Sequence, residues 1–312
     1  MKPGPMRWLV LAALLLVLVL TTTSAYIRLS QAGFGCANWP ACYGRAVRLP
    51  EAGQLLPGGQ APLFWAHALH RLTASSVGVL LLLIVFLGQE GLQSAGARLA
   101  AWTVLALAGL LAVLGIVTPS NLPAVTLGNL LGGMTMVALL WWLHQRGRGE
   151  SAGAGRRLLW LAFAALALQI ALGGMIGARH AALACVTLPA CDGGWWPEST
   201  DWRLFNPFFG LPASDTVSAA LAPLAMAHRY GALLVAAIVC VLGVKAVRRG
   251  ARGAARGWLL LGLLGLQLLL GASMVLANFP LPLALLHNLC AALLLGAIVG
   301  LSSQNSETQE EA

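Results

Sequence analysis

The sequence predicts an all-α integral membrane protein, eight transmembrane helices arranged as two pseudo-symmetric four-helix bundles. Three observations predict it. Of 312 residues, 59% are hydrophobic and 9% charged, where a soluble domain carries about 25% charged residues. Eight apolar stretches are long enough to cross a hydrocarbon core, which takes about 20 helical residues. Histidines and cysteines also recur at a nearly constant offset, as a duplicated unit requires.

The stretches fall near 8–27, 64–88, 98–118, 122–143, 157–178, 219–244, 257–277 and 282–302. The first follows Lys2 and Arg7 and precedes "TTTSA", flanks that a signal peptide shares. A retained helix is the preferred reading, because cleavage takes one member from the repeat. The connections at 28–63 and 179–218 are long, and the other two on that side are very short. The resulting division is an N-terminal half at 1–150, a C-terminal half at 151–303, and a polar tail at 304–312 expected to be disordered.

A formal charge of +9 suggests nucleic acid in a soluble protein. Here the cations sit mostly in short connections, so they set topology and no nucleic-acid partner is expected. One set of loops holds Lys2, Arg7, Arg98, Arg146, Arg148, Arg156, Arg157, Lys245, Arg248, Arg249, Arg252 and Arg256; the opposite set holds Arg28, Arg45, Arg48, Arg179 and Arg203. The positive-inside rule then places both termini in the cytoplasm, in a bacterial-type inner membrane, with both long loops outside.

Each long loop carries a Cys-x5-Cys pair with Pro two residues before the second Cys: Cys36 and Cys42 in "GFGCANWPACYG", Cys185 and Cys191 in "ALACVTLPACDGG". An oxidising compartment favours disulfides, Cys36–Cys42 and Cys185–Cys191. Reduced thiols or a metal pair are the alternatives, although two ligands per loop at this spacing make a poor zinc pattern. Cys240 and Cys290 lie in spans and read as packing residues.

The histidines repeat as well. His70-Arg71 in "AHALHRLTASSVGVLLLL" and His228-Arg229 in "APLAMAHRYGALLVAAIV" lie 158 positions apart. His287 of "LALLHNLCAALLLG" maps by that offset onto Asn129 of "TLGNLLGGMTM". Four helices per half give both halves one orientation, related by an axis along the membrane normal.

Ionisable residues inside a bilayer are costly and mark function, although a lone His is often a hydrogen-bonded interior residue. His228 and His287 stand on two helices at similar depth, and two imidazoles facing each other across a bundle suit axial ligation of a haem iron. Arg229 offers a cation to a haem propionate, or it snorkels to the interface. In the first half His70 faces Asn129, and an amide is a poor iron ligand. A haem there has one protein ligand and an open sixth position, which suits chemistry or exchange. The asymmetry reads as one cofactor site, at His228, His287 and Arg229, and one substrate site, at His70, Arg71 and Asn129.

His67 shares a helix face with His70 at i, i+3, so the two cannot take opposite faces of one haem. His67 is then a base, a proton relay or a propionate contact, or else it bonds a neighbouring helix. His144 and His180 sit at span edges and read as structural. Trp195, Trp196 and Trp202 suggest that the second long loop rests on the membrane surface.

With these motifs in order, the chain resembles the haem A synthase family. "GFGCANWPACYG", the two His-Arg pairs, "GIVTPSNLPAVTLGNLLGG" and "LQIALGGMIGARHAALACVTLPAC" follow that family's sequence of landmarks. The resemblance implies eight helices in two halves and oxidation of a methyl group of haem O to the formyl group of haem A for terminal oxidases. It implies a haem b in the second half, on His228 and His287, that passes electrons, and haem O as substrate in the first. Haem O synthase, oxidase assembly factors and an unidentified electron donor or acceptor are the implied partners, within the lipid bilayer. Two positions depart from the pattern. The family's Glu-x-x-His-Arg reads His67-Ala-Leu-His70-Arg71 here, and its second N-terminal His is Asn129. These departures keep a second reading open, a haem-binding, electron-transfer or haem-handling protein without methyl oxidation. A repeat-built transporter is a weaker third, since the histidines lie towards the outer face rather than at the midplane.

Overall fold

The computed structural model describes residues 4–34, 36, 39–40, 43, 61–88, 92, 94–117, 122–146, 155–197, 200–209 and 219–302. They form eight long helices: α1 Pro5–Gln31, α2 Ala61–Phe86, α3 Ala95–Val117, α4 Pro123–Gln145, α5 Arg156–Ala178, α6 Ala222–Val247, α7 Gly250–Leu276 and α8 Leu281–Ser302. All eight are long and apolar enough to cross a membrane. No sheet strand occurs among the described residues; Cys191 and Gly194 make one isolated bridge.

The helix ends follow local chemistry. Pro5, Pro123 and Pro223 occupy first turns, where a missing N–H breaks no helical bond. Ser94 caps α3, its Oγ accepting from the Ala97 N–H at 3.1 Å. In α1 the hydroxyls of Thr21, Thr22 and Thr23 bond back to the Leu18 and Val19 carbonyls at 2.8–3.0 Å, which satisfies three polar groups where lipid offers no partner. His180 follows α5 with φ 55°, a left-handed helix stop. One boundary differs from expectation. α7 starts at Gly250 rather than near 257, because the Ala- and Arg-containing stretch after Gly250 extends the apolar helix by nearly two turns.

Large apolar side chains such as Leu72, Ile116, Leu234 and Leu276 are exposed on helix flanks. In water this pattern is a liability; in lipid it is the expected outer face. The main apolar core runs through all eight helices, with Val17 of α1 and Ile298 of α8 among its members. The proposed halves are therefore read from the repeat and not from a break in packing. The packing follows that repeat. α1 and α3 each contact both α2 and α4, and α5 and α7 each contact both α6 and α8. α4 and α8 meet closely, because Gly296 and Gly300 leave room for the Trp141 ring; a Cβ on Gly296 comes within 2.7 Å of it. Small residues four apart are a common means of close helix approach in membranes.

The two long loops cross over. From the first, Trp39 donates its indole N–H to the Asn278 carbonyl, 2.8 Å away, between α7 and α8. Tyr43 accepts from the Ala182 N–H at 3.4 Å, and Phe34, Trp39 and Tyr43 form an aromatic cluster against Ala182, Phe279 and Ala284. Burial pushes the Tyr43 phenol well above its ordinary pKa. From the second loop, the Pro207 carbonyl accepts from the Ala124 N–H at the start of α4. The first loop thus meets the α7–α8 turn and α8, and the second meets the start of α4.

Cys185 and Cys191 form a disulfide, Cα atoms 5.3 Å apart, as expected. Cys42 lies outside the described residues, so the Cys36–Cys42 pairing does as well. Cys240 and Cys290 are free thiols.

Candidate functional site: a two-histidine cavity

A cavity of about 450 Å³ opens between α5, α6, α7 and α8, within the range of small-molecule and cofactor sites. His228 of α6 and His287 of α8 both line it. α5 and α7 each contact both histidine helices, so the imidazoles reach the cavity from two different sides. The rest of the wall is mainly apolar, with Met134, Leu166, Ile170 and Leu264 among its residues.

The flanking helices serve the histidines in the same way. Gln169 of α5 donates its amide N–H to the His228 carbonyl at 2.8 Å and lies 3.0 Å from His228 Nδ1. Gln267 of α7 places its amide 3.1 Å from His287 Nε2. Four residues after each glutamine stands a glycine. A Cβ on Gly173 comes within 3.1 Å of His228 Cε1, and one on Gly271 within 3.1 Å of His287 Cε1. "QIALG" and "QLLLG" therefore each present one amide and one vacant Cβ position to one imidazole. The legible signal was a Gln-x3-Gly repeated in two apolar spans; the histidine offset of 158 did not expose it, because the repeat lies within one half.

The donor set fits a haem. Two imidazoles oppose each other in an apolar chamber, and a glycine beside each ring leaves space that a Cβ would fill. His287 Nδ1 is buried without a hydrogen-bond partner while Gln267 lies against Nε2, so one ring nitrogen is held and the other uncommitted, as a ligating histidine requires. The unpaired Gln267 Oε1 is an acceptor on the neighbouring side chain.

Arg229 also lines the cavity, and both of its terminal nitrogens are engaged. Nη2 donates to the Cys185 carbonyl at 2.9 Å, and Nη1 to the Pro189 and Ala190 carbonyls at 3.2 and 3.3 Å. It fastens the disulfide loop to the rim. Tyr230 adds a bond from its hydroxyl to the Trp195 carbonyl at 2.6 Å. Arg179, beside the next loop segment, donates to the carbonyls of Arg203, Asn206 and Phe209. Trp195 and Trp202 are largely exposed on these loops. Arg28 of α1 reaches the same cavity from the first half.

His67, His70 and Asn129 are half-buried and Arg71 is exposed. None of them lines this cavity. The two histidines stand on α2 and Asn129 on α4, helices that share α1 and α3 as neighbours, the arrangement that α6 and α8 have about α5 and α7.

The chain is thus a membrane protein of eight spanning helices with a histidine-lined interior cavity. Residues 6–299 match the COX15-CtaA family of cytochrome oxidase assembly proteins, and the chain belongs to that family. It is 34% identical over 317 residues to a haem A synthase of Shewanella oneidensis, covering 94% of each chain. A haem A synthase of Rhodopseudomonas palustris is 27% identical, over 91% of this chain and 86% of its own. One of Rhizorhabdus wittichii is 25% identical, over 94% and 91%.

Proposed function

We propose that this chain is a haem A synthase-type oxidoreductase, oxidising a methyl group of haem O to the formyl group of haem A for terminal oxidase assembly. The observation that carries the reading is the cavity lined by both His228 of α6 and His287 of α8, in a chain related to haem A synthases along nearly its whole length. His228 and His287 hold a haem b, which supplies electron transfer when bound. Gln169 and Gln267 orient the two rings. Arg229 adds positive charge while it secures the loop above.

Haem O is bound in the first half against His70, with Arg71 towards the outer interface and Asn129 on the facing helix. His67, one turn before His70, accepts or passes a proton. It cannot reproduce the fixed negative charge that a carboxylate offers a developing cation, so its part is proton movement. Haem O synthase is the upstream partner in substrate chemistry, an oxidase assembly factor the downstream one, and both termini lie in the cytoplasm.

The test is haem extraction and chromatography from cells that make haem O, with and without this chain. Haem A is expected with it. Bound haem b without haem A, beside an active control enzyme, favours the second reading, a haem-binding electron-transfer or haem-handling protein; His67 and Asn129 at the two altered positions are what favour that reading.

A further inference from the structure

Three arginines stand at the outer ends of the helices around the cavity, and two are discharged into the protein. Arg179 and Arg229 each donate to three backbone carbonyls. The Arg28 guanidinium makes no hydrogen bond to any described residue, and its Nε is buried and unpaired. Only two carboxylates, Asp192 and Asp201, occur among the described residues, and neither pairs with it. Placement in the last turn of α1 suits a cation at a helix C-terminus, yet its N–H groups reach none of the terminal carbonyls. A buried Nε–H without a partner is costly, and the half-buried Arg28 lines the cavity that holds His228 and His287. An anion arriving in that cavity finds one fork of donors held back for it.

We infer that Arg28 is the carboxylate receptor of the two-histidine cavity: it pairs with an acid group at the edge of the planar ligand whose centre lies between His228 and His287, a haem propionate. The inference rests on the haem reading of this cavity. α1 lies in the first half, so one bound cofactor is held from both halves, the iron by α6 and α8 and the propionate by α1. Arg229 does not duplicate the role, because its Nη1 and Nη2 hold the disulfide loop.

The test uses the full-length chain, purified haem-free from a haem-deficient host into zwitterionic nanodiscs and titrated with haem or with haem dimethyl ester. The ester keeps the ring and the iron but has no acid group. A charge-assisted pair of this kind predicts that the wild type prefers haem about ten- to hundredfold. R28Q is expected to bind both equally and R28K to keep part of the preference. Equal wild-type affinity for the two ligands overturns the inference without need of a variant, and so does an R28Q that keeps the full preference. An unchanged low-spin spectrum in both H228A and H287A removes the haem reading itself, a separate result read from the axial ligands and not from the ester comparison. Anionic lipid added to the nanodiscs distinguishes a phosphate headgroup as the occupant: competition that R28Q abolishes, with no haem-over-ester preference in its absence, overturns the propionate assignment.

Discussion

Gln169 meets His228 at two points, donating to its main-chain carbonyl at 2.8 Å and lying 3.0 Å from its Nδ1. The amide therefore ties the ring of α6 to the body of α5. Side chains that hydrogen-bond a metal-ligating histidine set ring orientation, and their loss costs about 10–100-fold in metal affinity. Gln169→Leu keeps the volume and removes the donor. Haem is expected to bind about tenfold more weakly, still low-spin, with altered electron paramagnetic resonance g-values and midpoint potential. A variant identical to wild type in all three measurements shows that the amide does not orient the ring.

Gly173 and Gly271 test the space beside the rings. Each would place a Cβ 3.1 Å from a histidine Cε1, so Gly173→Val and Gly271→Val must push the imidazole or part the helices. Haem occupancy after purification is expected to fall severalfold in both. Gly177 borders the same cavity, but a Cβ there meets nothing within 4 Å. Gly177→Ala should keep full occupancy and gain up to about 1 kcal/mol of helix propensity. Equal loss in all three variants points to general damage instead of ring crowding.

The spans and the histidines could be read from the sequence because a charged or ionisable side chain stands out in an apolar run. His228 and His287 were legible for that reason, and the structure brings them to one cavity. Gln169 and Gln267 carry no charge and passed as span residues, although their contacts decide ring orientation. Arg28 read as one more loop cation. Its place on the wall of the two-histidine cavity depends on helix packing, which no local pattern reveals. The crossed loops were hidden for the same reason. Trp39 and Asn278 are 239 positions apart, and a contact at that range leaves no periodicity in either segment.

Arg229 and the Cys185–Cys191 bond stabilise one loop by different means. Arg229→Gln removes a charge-assisted clamp on three carbonyls, each such bond worth about 1.5–3 kcal/mol at most. The expected outcome is faster proteolysis within 185–197, with the transmembrane core intact. In the non-reduced wild type, alkylation should leave Cys185 and Cys191 unlabelled. Ready labelling of either contradicts the disulfide, and unchanged proteolysis in Arg229→Gln contradicts the clamp.

Trp39 carries the cross-half contact of the first loop. Trp39→Phe keeps a ring for Phe34 and Tyr43 but removes the donor to the Asn278 carbonyl. The loss should be about 1 kcal/mol, seen as a lower midpoint in thermal or denaturant unfolding in detergent, with little change in haem content. Full wild-type stability would mean that water or lipid headgroups satisfy that carbonyl equally well.

His67 separates the two functional readings. It stands one turn before His70 on α2, half-buried and away from the two-histidine cavity. If it moves a proton during oxidation of haem O, His67→Ala should lower haem A formation by about 10²–10⁴-fold, the usual range for a general acid–base group. The haem b content held by His228 and His287 should stay at the wild-type level, because no residue of that cavity changes. His67→Glu restores an acid–base group and adds the fixed charge that imidazole lacks, so its activity should equal or exceed that of wild type. Haem A formation unaffected by His67→Ala assigns His67 a packing role. Loss of haem b in the same variant would show that the two sites depend on each other through the continuous core.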